Sequence, residues 1–136
     1  MVRGDISYGK ARLKDISALS KLIESKAIIV VAPKKSLDLC ATIRDYFLAK
    51  QGKNFIGCLG LRFLDEKTAE VTVFVGSEDS IHRLMELAKL EAEIMEARKM
   101  VAKPSDPKIL ASLGFKKSMG DLMETEIIDT ENTPLV

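Results

Sequence analysis

Thr68-Ala69-Glu70-Val71-Thr72-Val73-Phe74-Val75-Gly76-Ser77-Glu78-Asp79-Ser80-Ile81-His82-Arg83 is the stretch in which the chain changes period. Up to Val75, Ala69, Val71, Val73 and Val75 alternate with Thr68, Glu70, Thr72 and Phe74, the spacing of a strand with two distinct faces. From Ser80 the period becomes helical: Ile81, Leu84, Met85, Ala88, Ala92 and Met95 fall on one stripe with charges opposite, so a long amphipathic helix follows. Glu78, Asp79 and Ser80 stand where capping residues belong, because acids there offset the positive end of the helix dipole.

Upstream, Asp45–Lys50 and Asn54–Leu61 are apolar runs separated by Gln51-Gly52-Lys53, the length and glycine content of a hairpin loop. With the polar Asp65-Glu66-Lys67 turn, this predicts a three-stranded meander ending in the strand quoted above. Ile6–Ala11 reads as a first strand, and Asp15 caps a helix carrying Ile16, Leu19, Leu22 and Ile23. Ala27–Ala32 is rich in branched residues and stops at Pro33, which fits a strand-like connection or a buried loop. Ser36 caps a short second helix through Ile43.

Downstream, Lys99–Lys103 is a short strand candidate, and Ser105-Asp106-Pro107 opens a helix that Leu113-Gly114-Phe115 closes. Residues 116–128 return as one or two strands, most clearly at Ile127 and Ile128, and 129–136 reads as a tail. The order implies one α/β domain over residues 1–136: a mixed, mainly antiparallel sheet with helices on both faces.

At 136 residues, with 46% hydrophobic and 30% charged residues, the chain can bury a core of its own. Twenty-one basic residues against twenty acidic ones give a net charge of +1, which supplies no field to attract nucleic acid or anionic lipid. The longest uncharged apolar run, Ala27–Pro33, falls far short of the ~20 residues that span a bilayer. Charged sequence begins at Arg3, without the order of a signal peptide, so the expected compartment is the cytoplasm. Cys40 and Cys58 each sit in apolar surroundings and read as buried thiols of a reducing compartment. One histidine and two separated cysteines form no convincing metal cluster.

Four phrases, in order, resemble the GCN5-related N-acetyltransferase (GNAT) family, and within it the acetyltransferase domain of N-acetylglutamate synthases. They are Ala11-Arg12-Leu13-Lys14-Asp15-Ile16, the hairpin from Asp45-Tyr46-Phe47-Leu48-Ala49 to Phe55-Ile56-Gly57-Cys58-Leu59-Gly60-Leu61, the strand Ala69–Val75, and Leu110-Ala111-Ser112-Leu113-Gly114-Phe115. The resemblance implies transfer of acetyl from acetyl-CoA to the amine of an amino acid or other small molecule. Such chemistry depends mainly on positioning and on a donor for the oxyanion.

The resemblance also implies site residues. Glu70, on the face that alternation sets opposite Val71, Val73 and Val75, is near where the family often places a carboxylate that takes the amine's proton. It can equally face solvent or pair with a lysine on a neighbouring strand. In the family this strand splays from the next one, so backbone groups near Phe74 and Val75 bond the pantetheine arm. The family's pyrophosphate motif then places two spaced glycines before the long helix, so that consecutive N–H groups and the helix dipole face the anion. Here that stretch is short, has Gly76 alone, and puts Glu78 and Asp79 where a polyanion would lie. Ser77, Ser80, His82 and Arg83 are the remaining coenzyme candidates, Arg83 because guanidinium pairs well with phosphate oxygens. Many family members carry a tyrosine four residues before the glycine of Leu-Gly-Phe; Leu110 stands there and cannot act as an acid.

Two functions are therefore expected: an N-acetyltransferase with Glu70 as base, or a non-catalytic regulatory or protein-binding domain that has lost tight acetyl-CoA binding. A third fold, another α/β sandwich, would show no splay after the quoted strand. Strands beyond Phe115 could pair between two copies in a homodimer.

Overall fold

In a computed structural model of the chain, the described residues are 6–15, 17, 21, 28–32 and 46–127. They form an eight-stranded sheet with two helices. The strands are β1 (Ile6–Lys10), β2 (Ile28–Val31), β3 (Tyr46–Gln51), β4 (Asn54–Asp65), β5 (Thr68–Gly76), β6 (Lys99–Ala102), β7 (Lys116–Lys117) and β8 (Met123–Glu126). The helices are α1 (Glu78–Ile94) and α2 (Pro107–Ser112), and a single 3-10 turn covers Leu13–Asp15. The sheet order is β1-β3-β4-β5-β6-β8-β7, with β2 also paired to β5. Every described pairing is antiparallel except β5 with β6.

The meander forms as its turns dictate. Gly52 takes φ +64°, a left-handed value that glycine adopts without a Cβ penalty, and closes the β3–β4 hairpin. In the β4–β5 turn, the backbone N–H of Lys67 donates to Asp65 Oδ1 at 2.8 Å. The helix expected from Ser80 starts two residues earlier, at Glu78, and ends at Ile94, so Met95 leaves the predicted stripe and is exposed. Asp15 does not show as a simple cap: its Oδ2 accepts the N–H of Arg12 at 2.8 Å and closes the 3-10 turn. The expected strand at Ile127 stops at Glu126, although Ile127 is buried and its N–H donates to Arg98 O at 2.8 Å. Ile128, the Ser36–Ile43 helix, Cys40 and the tail lie outside the described residues, as does most of the first helix, of which Ser17 and Lys21 are helical.

One face of the sheet packs under α1. Phe47, Leu59, Leu61, Val71 and Phe74 meet Ile81, Leu84, Met85, Ala88 and Ala92, and α2 adds Leu110. Side chains on the other face, among them Tyr46, Leu48, Cys58, Val73 and Val75, are buried as well. β5 is thus covered along nearly its whole length, as befits the central strand.

β5 is also irregular. Val71 and Val73 lie opposite the consecutive residues Leu61 and Gly60, so Thr72 is an extra residue, a β-bulge. A Cβ on Gly60 would meet both Thr72 Oγ1 and Val73 Cγ1, which puts those two neighbours on one face. Strict alternation therefore fails at Thr72. Val71 and Phe74 share the α1 face, whereas Val73 and Val75 share the opposite face with Glu70. The expectation that Glu70 lies opposite Val73 and Val75 is corrected by this single inserted residue.

Candidate functional site

The candidate site is built where β5 leaves its neighbour and α1 begins. β6 accompanies β5 from Thr68 opposite Lys99 to Val71 opposite Ala102 and then stops. Pro104 follows two residues later and cannot donate to a ladder, so the chain turns off into α2. There Asp106 caps the helix by accepting Ile109 N–H at 3.4 Å, with Pro107 in the first turn. From Val73 to Gly76, β5 has therefore parted from β6. The splay that separates this architecture from another α/β sandwich is present.

The edge so released is not vacant. β2 pairs antiparallel along it, with Ile28 opposite Gly76, Ile29 opposite Val75 and Val31 opposite Phe74, and the register slips between Ile29 and Val31. β4 holds the other edge of β5 throughout, so β2 and β6 divide one edge between them. Behind β2, Val30 O accepts Ser105 N–H at 2.8 Å and Asp106 N–H at 3.3 Å, and Ala32 N–H donates to Ser105 Oγ at 3.2 Å. Val30 and Val31 are buried, which stabilises β2 there by about 1.5–3 kcal/mol for each valine. Of the Ala27–Ala32 stretch, left open between a strand and a loop, Ile28–Val31 is a strand in the gap between β5 and the start of α2.

At the helix start, Gly57 and Gly76 lie side by side and Ser80 seats on them. A Cβ would fall 2.6 Å from Ser80 Oγ if placed on Gly57, and 2.7 Å from it if placed on Gly76. Ser80 is fully buried; its Oγ lies 3.0 Å from Ser77 O and 3.4 Å from Ile56 O, and Ser77 Oγ is 3.1 Å from it. Ser77, with φ −78° and ψ 158°, is the N-cap residue by backbone conformation, and its own N–H donates to Ile56 O at 2.8 Å. Gly76 thus serves close packing of α1 on the sheet. This interlock was not legible in the sequence, because Gly57 and Ser80 are brought together only by the fold.

The exposed rim of α1 carries Glu78, Asp79, His82 and Arg83. Arg83 Nη1 reaches Glu86 Oε2 at 2.9 Å, an exposed i,i+3 pair of small energetic weight. Arg83 and Asp79 also act on Tyr8 of β1, whose phenol burial pushes above its usual range, with Arg83 opposing that shift. Phe74 and Val75 send their side chains, both fully buried, to opposite faces, so their backbone alone faces the edge.

Glu70 is buried, and Arg62, its partner in register on β4, covers it. Arg62 Nε donates to Glu70 Oε1 at 3.1 Å, and Nη2 of the same guanidinium donates to the same oxygen. Glu70 therefore pairs across strands with an arginine, the structural role foreseen for it with a lysine. Its face also carries Val73 and Val75, close to the released edge of β5.

The edge at which the family resemblance implies acetyl-CoA is occupied as the chain is folded. The backbone of Phe74–Gly76 is paired with β2, and two carboxylates flank the start of α1. A groove of about 1590 Å³ lies elsewhere, among residues such as Ile94, Arg98, Lys117 and Glu124. It sits at the far end of α1, roughly 25 Å from the site at 1.5 Å per residue. Its five acidic and five basic residues leave no net field for an anion. Among the described residues there is no group of three or more potential metal ligands, and no helix is long and apolar enough to cross a membrane.

No protein-family model matches the chain. An uncharacterised N-acetyltransferase of Chlorobaculum tepidum, CT2212, is 33% identical over 101 residues, covering 71% of this chain and 64% of that protein. N-acetylglutamate synthase from Neisseria gonorrhoeae, solved with coenzyme A and N-acetyl-glutamate, superposes with a TM-score of 0.77 at 15% identity. That match covers 93% of this chain and 36% of the synthase. The Salmonella typhimurium protein yncA, solved with its cofactor acetyl-CoA, superposes with a TM-score of 0.68 at 14% identity over 98% of this chain and all of that one. The chain thus spans less than two thirds of the length of the first two relatives.

Proposed function

We propose that this chain is a member of the GCN5-related N-acetyltransferase family and that it transfers acetyl from acetyl-CoA to the amine of an amino acid or another small molecule. The observation that carries this is the form of β5: bulged at Thr72, parted from β6 after Val71, and followed after one residue by the N-terminus of α1. A strand edge leaving its neighbour offers backbone donors and acceptors to an extended, amide-bearing ligand. A helix N-terminus favours an anion beside it. Acetyl transfer asks the protein chiefly to align its reactants and to meet developing charge with fixed donors.

In this proposal the backbone of Phe74 and Val75, once β2 has left it, and the exposed side chains of His82 and Arg83 are the donor's contacts. Ser77 and Ser80 contribute by holding the start of α1 on Gly57 and Gly76. Glu70 is the proton acceptor, directly or through water, once Arg62 swings off Oε1; the arginine side chain is 56% exposed and has room to move. The proposal takes residues 1–136 as one domain with 129–136 as a tail, acting in the cytoplasm and without nucleic acid. It also allows a second copy to pair beyond Phe115.

The presence of Gly76 alone, without a second spaced glycine, before α1 supports a second function, a non-catalytic regulatory or partner-binding domain. Its support is specific: β2 on the donor edge, and Glu78 and Asp79 at the helix start. Calorimetry with acetyl-CoA and with free coenzyme A, followed by thiol release with a panel of amino acids, separates the two. Binding near one equivalent with amine-dependent thiol release supports transfer; no heat from either ligand sinks it in favour of the second function.

A further inference from the structure

β2 is held firmly on one side and lightly on the other. Val30 and Val31 are buried, whereas Ile28 and Ile29 are each 38% exposed. Its ladder with β5 is short and slips between Ile29 and Val31, and its outer support is the Ser105–Asp106 turn rather than another strand. Two branched apolar side chains half in water, on a strand only four residues long, mark a segment less tightly bound than the rest of the sheet.

Backbone groups on a strand edge satisfy one partner at a time. A ligand that reads Phe74–Gly76 through backbone hydrogen bonds and β2 therefore cannot occupy the edge together.

We propose that β2 is the chain's own displaceable competitor for the released edge of β5, so that an acyl-coenzyme binds only after Ile28–Val31 has left it. The proposal rests on the acetyl-transfer function above. It makes affinity a property of β2 as much as of the site. If β2 is off the edge in about 1% of molecules, the apparent dissociation constant is raised about a hundredfold over that of the open edge. Anything that draws β2 away raises affinity without touching a ligand contact.

The test uses the full chain, coenzyme A as probe, and Ile29→Pro, which removes a backbone N–H in mid-strand at a half-exposed position. Calorimetry should show coenzyme A binding at least tenfold more tightly to Ile29→Pro than to the unsubstituted chain. Hydrogen exchange of the unsubstituted chain should show the amides of residues 28–31 exchanging faster at saturating coenzyme A. Should Ile29→Pro fail to fold by circular dichroism, Ile29→Gly makes the same comparison while keeping the N–H. Equal affinity for both chains, with residues 28–31 still protected when bound, overturns the proposal and leaves acetyl transfer standing. Binding to neither chain overturns both.

Discussion

Substituting Gly76 with alanine tests the seating of α1 on the sheet. The new Cβ would stand 2.7 Å from Ser80 Oγ, while its next neighbours, Gly57 Cα at 3.5 Å and Ile56 O at 3.6 Å, are at ordinary contact distance. The clash is therefore with one atom. That atom is fully buried and close to Ser77 O and Ile56 O, so it must either rotate away from them or lift the start of α1. Overpacking of this kind costs about 1–3 kcal/mol, a fall in Tm of roughly 3–10 °C for a domain of this size. Ser80→Ala alone should cost about 1 kcal/mol. It strands no acceptor, because Ser77 O still accepts from Ile81 N–H and Ile56 O from Ser77 N–H. With Oγ gone, Gly76→Ala has nothing left to strike. Urea unfolding followed by circular dichroism on both single variants and the double should show the double close to Ser80→Ala, a coupling equal to the Gly76→Ala penalty of about 1–3 kcal/mol. Additive penalties within about 0.5 kcal/mol, or an unaffected Gly76→Ala, would refute the interlock.

Arg62→Ala should destabilise the fold by about 1–3 kcal/mol, because it leaves the Glu70 carboxylate buried without its guanidinium. Adding Glu70→Leu should recover most of that loss in the same denaturant assay, and no recovery would mean the arginine acts through packing alone. Burial pushes the Cys58 thiol up to about 12 from an ordinary 9.0. Below pH 9 both folded and unfolded chains keep that proton; between pH 9 and about 12 only the unfolded thiol ionises, so stability should fall as pH rises. The slope reaches up to about 1.4 kcal/mol per pH unit. Lys89, whose pKa burial lowers, pulls the other way near the same range, so the measurement is the difference between the chain and Cys58→Ala, whose profile should be flatter.

What was legible in the sequence was what neighbours decide. The β3–β4 hairpin follows from Gly52 and its flanking apolar runs, and α1 follows from the stripe through Ile81, Leu84 and Ala88. The family likeness rested on the same local phrases. Three features depended on distant residues and escaped. The Ala69–Val75 alternation looks unbroken, yet Thr72 is an insertion visible only against Gly60 and Leu61 of β4. Glu70 was placed on the right strand, but its burial under Arg62 and its sharing of a face with Val73 and Val75 follow from that bulge. Residues 28–31 carried β-branched side chains without a local partner, so strand and loop were equally open until β5 supplied one. Glu78 and Asp79 were read as capping residues ahead of a helix from Ser80, whereas they lie in its first turn and the cap by backbone conformation is Ser77.

The division of one edge of β5 between β6 and β2 bears on the order in which the chain folds. β3, β4 and β5 are joined by turns of two residues and can zip together locally, with little entropy lost in closing the loops. β2 must find β5 across the whole meander, and its other contacts, at Ser105 and Asp106, exist only after α1 and β6 are in place. Its docking surface is complete only after the meander, α1 and the Ser105–Asp106 turn are in place. Substitutions in β2 should therefore change the unfolding rate far more than the folding rate.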